Sequence, residues 1–149
     1  ISIHAGEWSG AENVRQAIEE LDADRIGHGV RIMEDENIVR MAAKRQIPFE
    51  VCITSNYQSG VVTSLRGHPI LRMMDAGLHI TVNTDDPSIS QITLGDEYQL
   101  LYNEFQQPLE QFYKLCMASI NAAFLNEEEK NILREEYRIA YQGWNKSLA

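Results

Sequence analysis

Four short apolar runs, each closing on polar residues and each followed by a helical pattern, set the strongest limit on what this chain can fold into. The runs are Ile1-Ser2-Ile3-His4, Arg25-Ile26-Gly27-His28-Gly29, Phe49-Glu50-Val51-Cys52-Ile53 and His79-Ile80-Thr81-Val82-Asn83. After the first, Ser9 with Glu12 reads as a capping box, and Val14, Ala17, Ile18 and Leu21 recur at helical spacing. After the second, a helix from about Asp35 turns Ile38, Val39, Met41 and Ala42 inward and stops at Pro48. After the third, Pro69 suits the first position of a helix whose stripe is Ile70, Met73 and Met74, with Gly77 at its end. Past the fourth, helices are expected over roughly 94–105, from Pro108 (Phe112, Leu115, Cys116, Ser119, Ala122), and from Asn126 with Glu129 as capping partner (Ile132, Leu133, Tyr137, Tyr141).

Alternating strands and helices predict parallel strands joined by right-handed crossovers. An open doubly wound sheet and part of a (β/α)8 barrel both fit. Both place their chemistry at the carboxyl ends of the strands, but an open sheet concentrates it at one switch point. Here all four strand ends are polar: His4 with Glu7, His28, Ser55-Asn56, and Asp85-Asp86. That distribution suits a barrel mouth. Four strands do not close such a barrel, so about half of it is expected to lie elsewhere. The chain opens as if in the middle of a strand, and upstream sequence is expected.

Composition narrows the partners. The 149 residues suit one domain, and 44% are hydrophobic, enough for a core. A net charge of −9 disfavours nucleic acid and anionic membranes, which need a positive surface, but leaves room for a small neutral substrate. Cys52 and Cys116 form no Cys-x-x-Cys pair, which argues against a thiolate zinc site or a disulfide framework and favours a reducing, cytoplasmic setting. No apolar run reaches the length of a membrane span.

The strand ends carry the chemistry. In His4-Ala5-Gly6-Glu7 a histidine ends a strand, Gly6 permits a sharp turn, and Glu7 returns over the same mouth. A histidine so placed is a good zinc ligand and a nearby glutamate a proton shuttle. Taken alone, a packed histidine and an ordinary helix-start acid explain it better. Gly27-His28-Gly29 leaves space beside a ring that can touch a bound water or a substrate, or simply makes a tight turn. Asp85 and Asp86 repel each other unless something positive or donor-rich holds them. One of them, Asp86 before Pro87, serves as a helix cap, which leaves Asp85 to be explained. Thr54-Ser55-Asn56 reads first as a hydroxyl-rich turn, His68 as the opening of a helix, and His79 as a residue packed at its strand's entry, away from the mouth.

As an ordered set these segments resemble the adenosine and adenine deaminase family: His-Ala-Gly-Glu at 4–7, Arg-Ile-Gly-His-Gly at 25–29, Val-Cys-x-Thr-Ser-Asn at 51–56 and Asn-Thr-Asp-Asp-Pro at 83–87. Each motif is weak alone; the order and spacing are specific. The resemblance implies that residues 1–149 are the C-terminal half of one (β/α)8 TIM-barrel domain. It implies a Zn2+ held by His4 and Asp85, with Glu7 protonating a purine ring nitrogen and His28 orienting the attacking hydroxide. Asp86 and Gly6 would contact the substrate, a purine nucleoside such as adenosine or deoxyadenosine, with adenine or another 6-aminopurine as runner-up. The family's further zinc ligands, a His-x-His pair on the first barrel strand, do not occur here. Two ligands fall short of the three or four that zinc takes. The isolated chain is therefore expected to bind zinc poorly, to be inactive, and to need the N-terminal half as its partner. A non-catalytic half-barrel pairing with a companion chain is the alternative.

Overall fold

The computed structural model describes residues 1–147. Its strands are β1 (Ser2–Ala5), β2 (Arg25–His28), β3 (Pro48–Val51) and β4 (His79–Val82), all parallel, in the spatial order β1-β2-β3-β4. The helices are α1 (Ala11–Glu19), α2 (Glu36–Arg45), α3 (Ile53–Gln58), α4 (Ile70–Asp75), α5 (Pro87–Ser90), α6 (Leu94–Asn103), α7 (Leu109–Ala122) and α8 (Glu127–Ser147). Strictly sequential parallel strands joined by helical crossovers make one continuous wall of a (β/α) barrel, and β1 and β4 each pair on one side alone among the described residues. No helix among them is long and apolar enough to cross a membrane.

Register assigns the two faces of the sheet. Ile3, Ile26, Phe49 and Ile80 lie in one row across the four strands. Ile26 and Phe49 have no exposed surface and Ile80 almost none, and they join one core with Val14 and Ile18 of α1, Ile38 and Ala42 of α2, and Ile70 and Met73 of α4. Burying each of these side chains other than that of Ala42 contributes about 1.5–3 kcal/mol. The next row, His4, Gly27, Glu50 and Thr81, is polar. Because strand side chains alternate, this row projects from the opposite face, the one that a closed barrel would enclose.

Local expectations and structure part in a few places. Helix α1 starts after Gly10 with no side-chain cap, and Glu12 pairs with Arg15 at 2.6 Å instead of closing a box with Ser9. Leu21 lies beyond the helix and is exposed. The third strand ends at Val51, and Ile53 to Asn56 coil into α3. The cause is Glu97 of α6: fully buried, its two carboxylate oxygens accept from the amides of Ile53 and Thr54, both at 3.0 Å. A helix starting there leaves these amides without intrahelical partners. Burial pushes the Glu97 carboxyl above its ordinary range, against those bonds. Asp35 caps α2 through the amides of Asn37 and Ile38, and Asn126 and Glu129 cap α8 reciprocally, as their spacing predicts.

Candidate active site

The four strand ends converge on one mouth. At β1, Gly6 has φ +65°, and a Cβ there would lie 2.5 Å from Val14 Cγ2, so glycine is required both by conformation and by space. The turn is tied to the next strand's loop by Gly29 N–H to Ala5 O (3.0 Å) and Arg31 N–H to Gly6 O (2.8 Å). It returns the Glu7 carboxylate to 3.6 Å from His28 Nε2. At β2, Gly27 leaves the space that the His4 ring fills: a Cβ on Gly27 would lie 2.6 Å from His4 Cδ2. The His4 and His28 rings meet edge to face with centroids 4.9 Å apart.

His28 (φ +64°) and Asp85 (φ +60°) both hold left-handed backbone at strand ends. Side chains with a Cβ adopt it at a cost of roughly 1–2 kcal/mol per residue. Of the other non-glycine residues with positive φ, Gln46 and Gln91 end helices α2 and α5, where such backbone is routine. At His28 and Asp85 the same conformation aims two candidate site side chains at one point: Asp85 Oδ2 is 3.9 Å from His28 Nε2. Ser55 Oγ donates to that same Asp85 oxygen at 2.7 Å.

His28 is 2% exposed. Burial drives its pKa below the ordinary histidine range against the pull of Glu7 and Asp85, so the ring is neutral at pH 7. Burial also pushes the Cys52 thiol well up, which leaves it inert as a nucleophile or ligand. A cavity of about 350 Å³, within the usual size of small-molecule sites, is lined by His4, His28, Glu50, Asn83 and Asp85 among others.

The structure thus brings His4, Gly6, Glu7, His28 and Asp85 together. Asp86 stands apart: it is exposed, and its Oδ1 accepts from Ile89 N–H (3.2 Å) at the start of α5, the capping use that its place before Pro87 allows. Three residues carry more of the site than their sequence context suggests. Asn56 has no exposed surface and touches His28; Ser55 orients Asp85; His68 is buried against Asn56. An Asn closing a buried strand run is the one signal that points to them. His79 bonds the carbonyl of Ala118 at 3.0 Å, at the far end of its strand from the mouth.

A divalent cation fits the chemistry of these donors. Ligand atoms of His4, Glu7 and His28 lie within 4.8 Å of one another, while Asp85, expected beside His4 as a ligand, is outside that cluster and approaches it through His28 at 3.9 Å; imidazole with carboxylate is a usual zinc or first-row metal set.

Known proteins resemble the chain in sequence and in fold. The adenosine deaminase family model matches residues 1–139. The adenosine deaminase of Aliivibrio fischeri is 41% identical over 135 residues, covering 91% of this chain and 40% of that protein. The adenosine deaminase of Escherichia coli O157:H7 is 40% identical over 136 residues, covering 91% of this chain and 41% of that protein. The chain therefore spans about two fifths of the length of these relatives. The crystal structure of adenine deaminase from Arthrobacter aurescens superposes with a TM-score of 0.92 at 30% identity, covering 95% of this chain and 43% of that one. An amidohydrolase from Burkholderia ambifaria with bound Zn superposes at 0.90 and 25% identity, covering 99% of this chain and 42% of that one. With the four motifs in order on consecutive strands and the match running through residue 139, the chain belongs to the adenosine deaminase family.

Proposed function

We propose that the intact protein hydrolyses the exocyclic amine of adenosine or deoxyadenosine, giving inosine or deoxyinosine and ammonia, and that this chain supplies the proton-transfer half of its site. The observation that carries the reading is the convergence of His4, Glu7, His28 and Asp85 on one mouth in a chain of this family. His4 and Asp85 would hold the metal, Zn2+ by analogy with the Zn-bound relative. When bound, the metal supplies Lewis acidity, which lowers the pKa of water from 15.7 to about 7.

The chain's own residues do the rest. Glu7, half-buried beside His28, delivers a proton to a purine ring nitrogen, which makes the carbon bearing the amine electrophilic. His28, neutral and buried, holds the attacking oxygen in line. Gly6 would meet the ring through its backbone, and Asp86, once its cap on α5 gives way, bonds a second ring nitrogen. The remaining metal ligands come from the N-terminal half of the barrel, which also covers the polar face and the open edges of β1 and β4. On this reading the chain alone binds zinc weakly and does not turn over, and the protein works in the cytoplasm.

Adenine is the second candidate, because the adenine deaminase of A. aurescens has nearly the same fold over this chain. Identities near 40% with adenosine deaminases favour the nucleoside. The test follows deamination by ultraviolet absorbance in the intact protein with zinc. Adenosine is expected to turn over faster than adenine; a preference for adenine reverses the assignment, and no turnover of either overturns it.

A further inference from the structure

We propose that His68 and Asn56 form a hydrogen-bond relay that locks the ring proton of His28 on Nε2, so that His28 faces the cavity as a donor and not as a metal ligand. The relay starts from a backbone amide, whose polarity is fixed. Ile70 N–H donates to His68 Nδ1 at 3.1 Å, so that nitrogen carries a lone pair. His68 is 4% exposed, and burial lowers its pKa to about 4, so its ring is neutral and its single proton sits on Nε2. That N–H faces Asn56 Oδ1 at 3.2 Å.

Asn56 is fully buried and both ends of its amide are used. With Oδ1 accepting from His68, Nδ2 is turned to His28 Nδ1 at 3.1 Å and donates to it. Turning the amide over would set its N–H against the N–H of His68, two donors facing each other. The backbone amide of Ile70 therefore decides an orientation that the heavy atoms alone leave ambiguous. With Nδ1 accepting, the ring proton of His28 lies on Nε2, which points at two acceptors, Glu7 Oε2 (3.6 Å) and Asp85 Oδ2 (3.9 Å).

The consequence reaches the chemistry. A protonated Nε2 does not ligate, so of the clustered His4, Glu7 and His28 only His4 offers a ring nitrogen to a cation. His28 instead donates to an oxygen in the cavity, which under the deaminase reading is the attacking one. His68 and Asn56 touch neither metal nor substrate in this account; they are positioning residues acting through His28.

Nitrogen-15 NMR of the histidine rings in the intact protein reads the lock without reference to activity. The expected result is an unprotonated Nδ1 and a protonated Nε2 on both His28 and His68. Asn56→Asp presents an oxygen to both histidines and is expected to draw a proton onto His28 Nδ1. His68→Asn keeps the acceptor for Ile70 but loses the donor to Asn56, and is expected to lower kcat roughly 10- to 100-fold with KM little changed. His68→Gln restores a donor near the position of Nε2 and is expected to recover most of kcat. A wild-type His28 protonated on Nδ1 overturns the relay, as does an Asn56→Asp protein whose His28 keeps its tautomer. If Asn56→Asp does not fold, the wild-type spectrum and the two His68 variants decide. The expected tautomers in a protein that deaminates nothing would sink the functional reading and leave the relay standing.

Discussion

Gly27→Ala separates the stability of the fold from the position of His4. The new Cβ would sit 2.6 Å from His4 Cδ2 and 3.1 Å from both Cγ and Nε2. Carbon atoms pack at about 3.5–4.0 Å, so the ring must move by roughly 1 Å. The move is cheap, because His4 is exposed and its ring can swing outward. Alanine in place of glycine inside a strand also returns roughly 0.5–1 kcal/mol of backbone entropy. The net change in stability is therefore expected to stay within about 1 kcal/mol. Metal binding has no such slack, since ligand distances hold to about 0.2 Å. A shift about five times that tolerance is expected to weaken zinc binding by at least roughly 10- to 100-fold, or about 1.4–2.8 kcal/mol. Chelator competition on the intact protein, run beside a urea denaturation curve, measures both quantities. A folded Gly27→Ala protein that binds zinc within threefold of the wild type would refute the reasoning: either His4 is not a ligand, or its ring does not need the space that Gly27 leaves.

Gly29→Ala is expected to do the opposite, striking the fold first. Its φ of +68° costs a side chain roughly 1–2 kcal/mol, and its Cβ would lie 2.2 Å from Cδ1 of Phe49, which is fully buried and has nowhere to turn. With overpacking at about 1–3 kcal/mol, a loss of about 2–5 kcal/mol in urea denaturation is expected, and a loss below about 1 kcal/mol would show that the core yields there. His68 predicts acid sensitivity. Its folded pKa of about 4 lies below the unfolded value of 6.5, so the unfolded chain binds the extra proton and stability falls as pH drops from about 6.5 to about 4. At 1.36 kcal/mol per unit that is roughly 3 kcal/mol, and His68→Gln should remove it. His28, also held low by burial, acts in the same direction in both proteins, so the difference between their pH profiles isolates His68. Profiles that fall in parallel between pH 6.5 and 4 would count against the assignment.

Much of the fold was legible in the chain order. Ile3, Ile26, Phe49 and Ile80 sit in short runs at helix-length separations, and apolar patterning of that kind commits a chain to parallel strands with covered faces whatever the details. Element ends were less legible. The strand after Pro48 stops at Val51 because Glu97, 44 residues beyond Ile53, places a buried carboxylate where a helix must offer its amides, and no window around residue 53 contains that information. Ser9 and Leu21 failed for the reason that propensity usually fails: the turn at Gly6 and the packing of α1 chose the boundary.

The candidate site divides in the same way. The sequence by itself determined the inventory, because His4, Glu7, His28 and Asp85 each end a predicted strand, and parallel strands deliver their ends to one side. Only the tertiary structure decided what each can do there. It gave His28 and Asp85 left-handed backbone that turns them on each other, and drew Asn56 and His68 into contact behind His28. The contacts that Ser55, Asn56 and His68 make rest on distances of about 3 Å between residues 12 to 30 positions apart, set by how the crossovers pack, and a one-dimensional pattern holds no such distance.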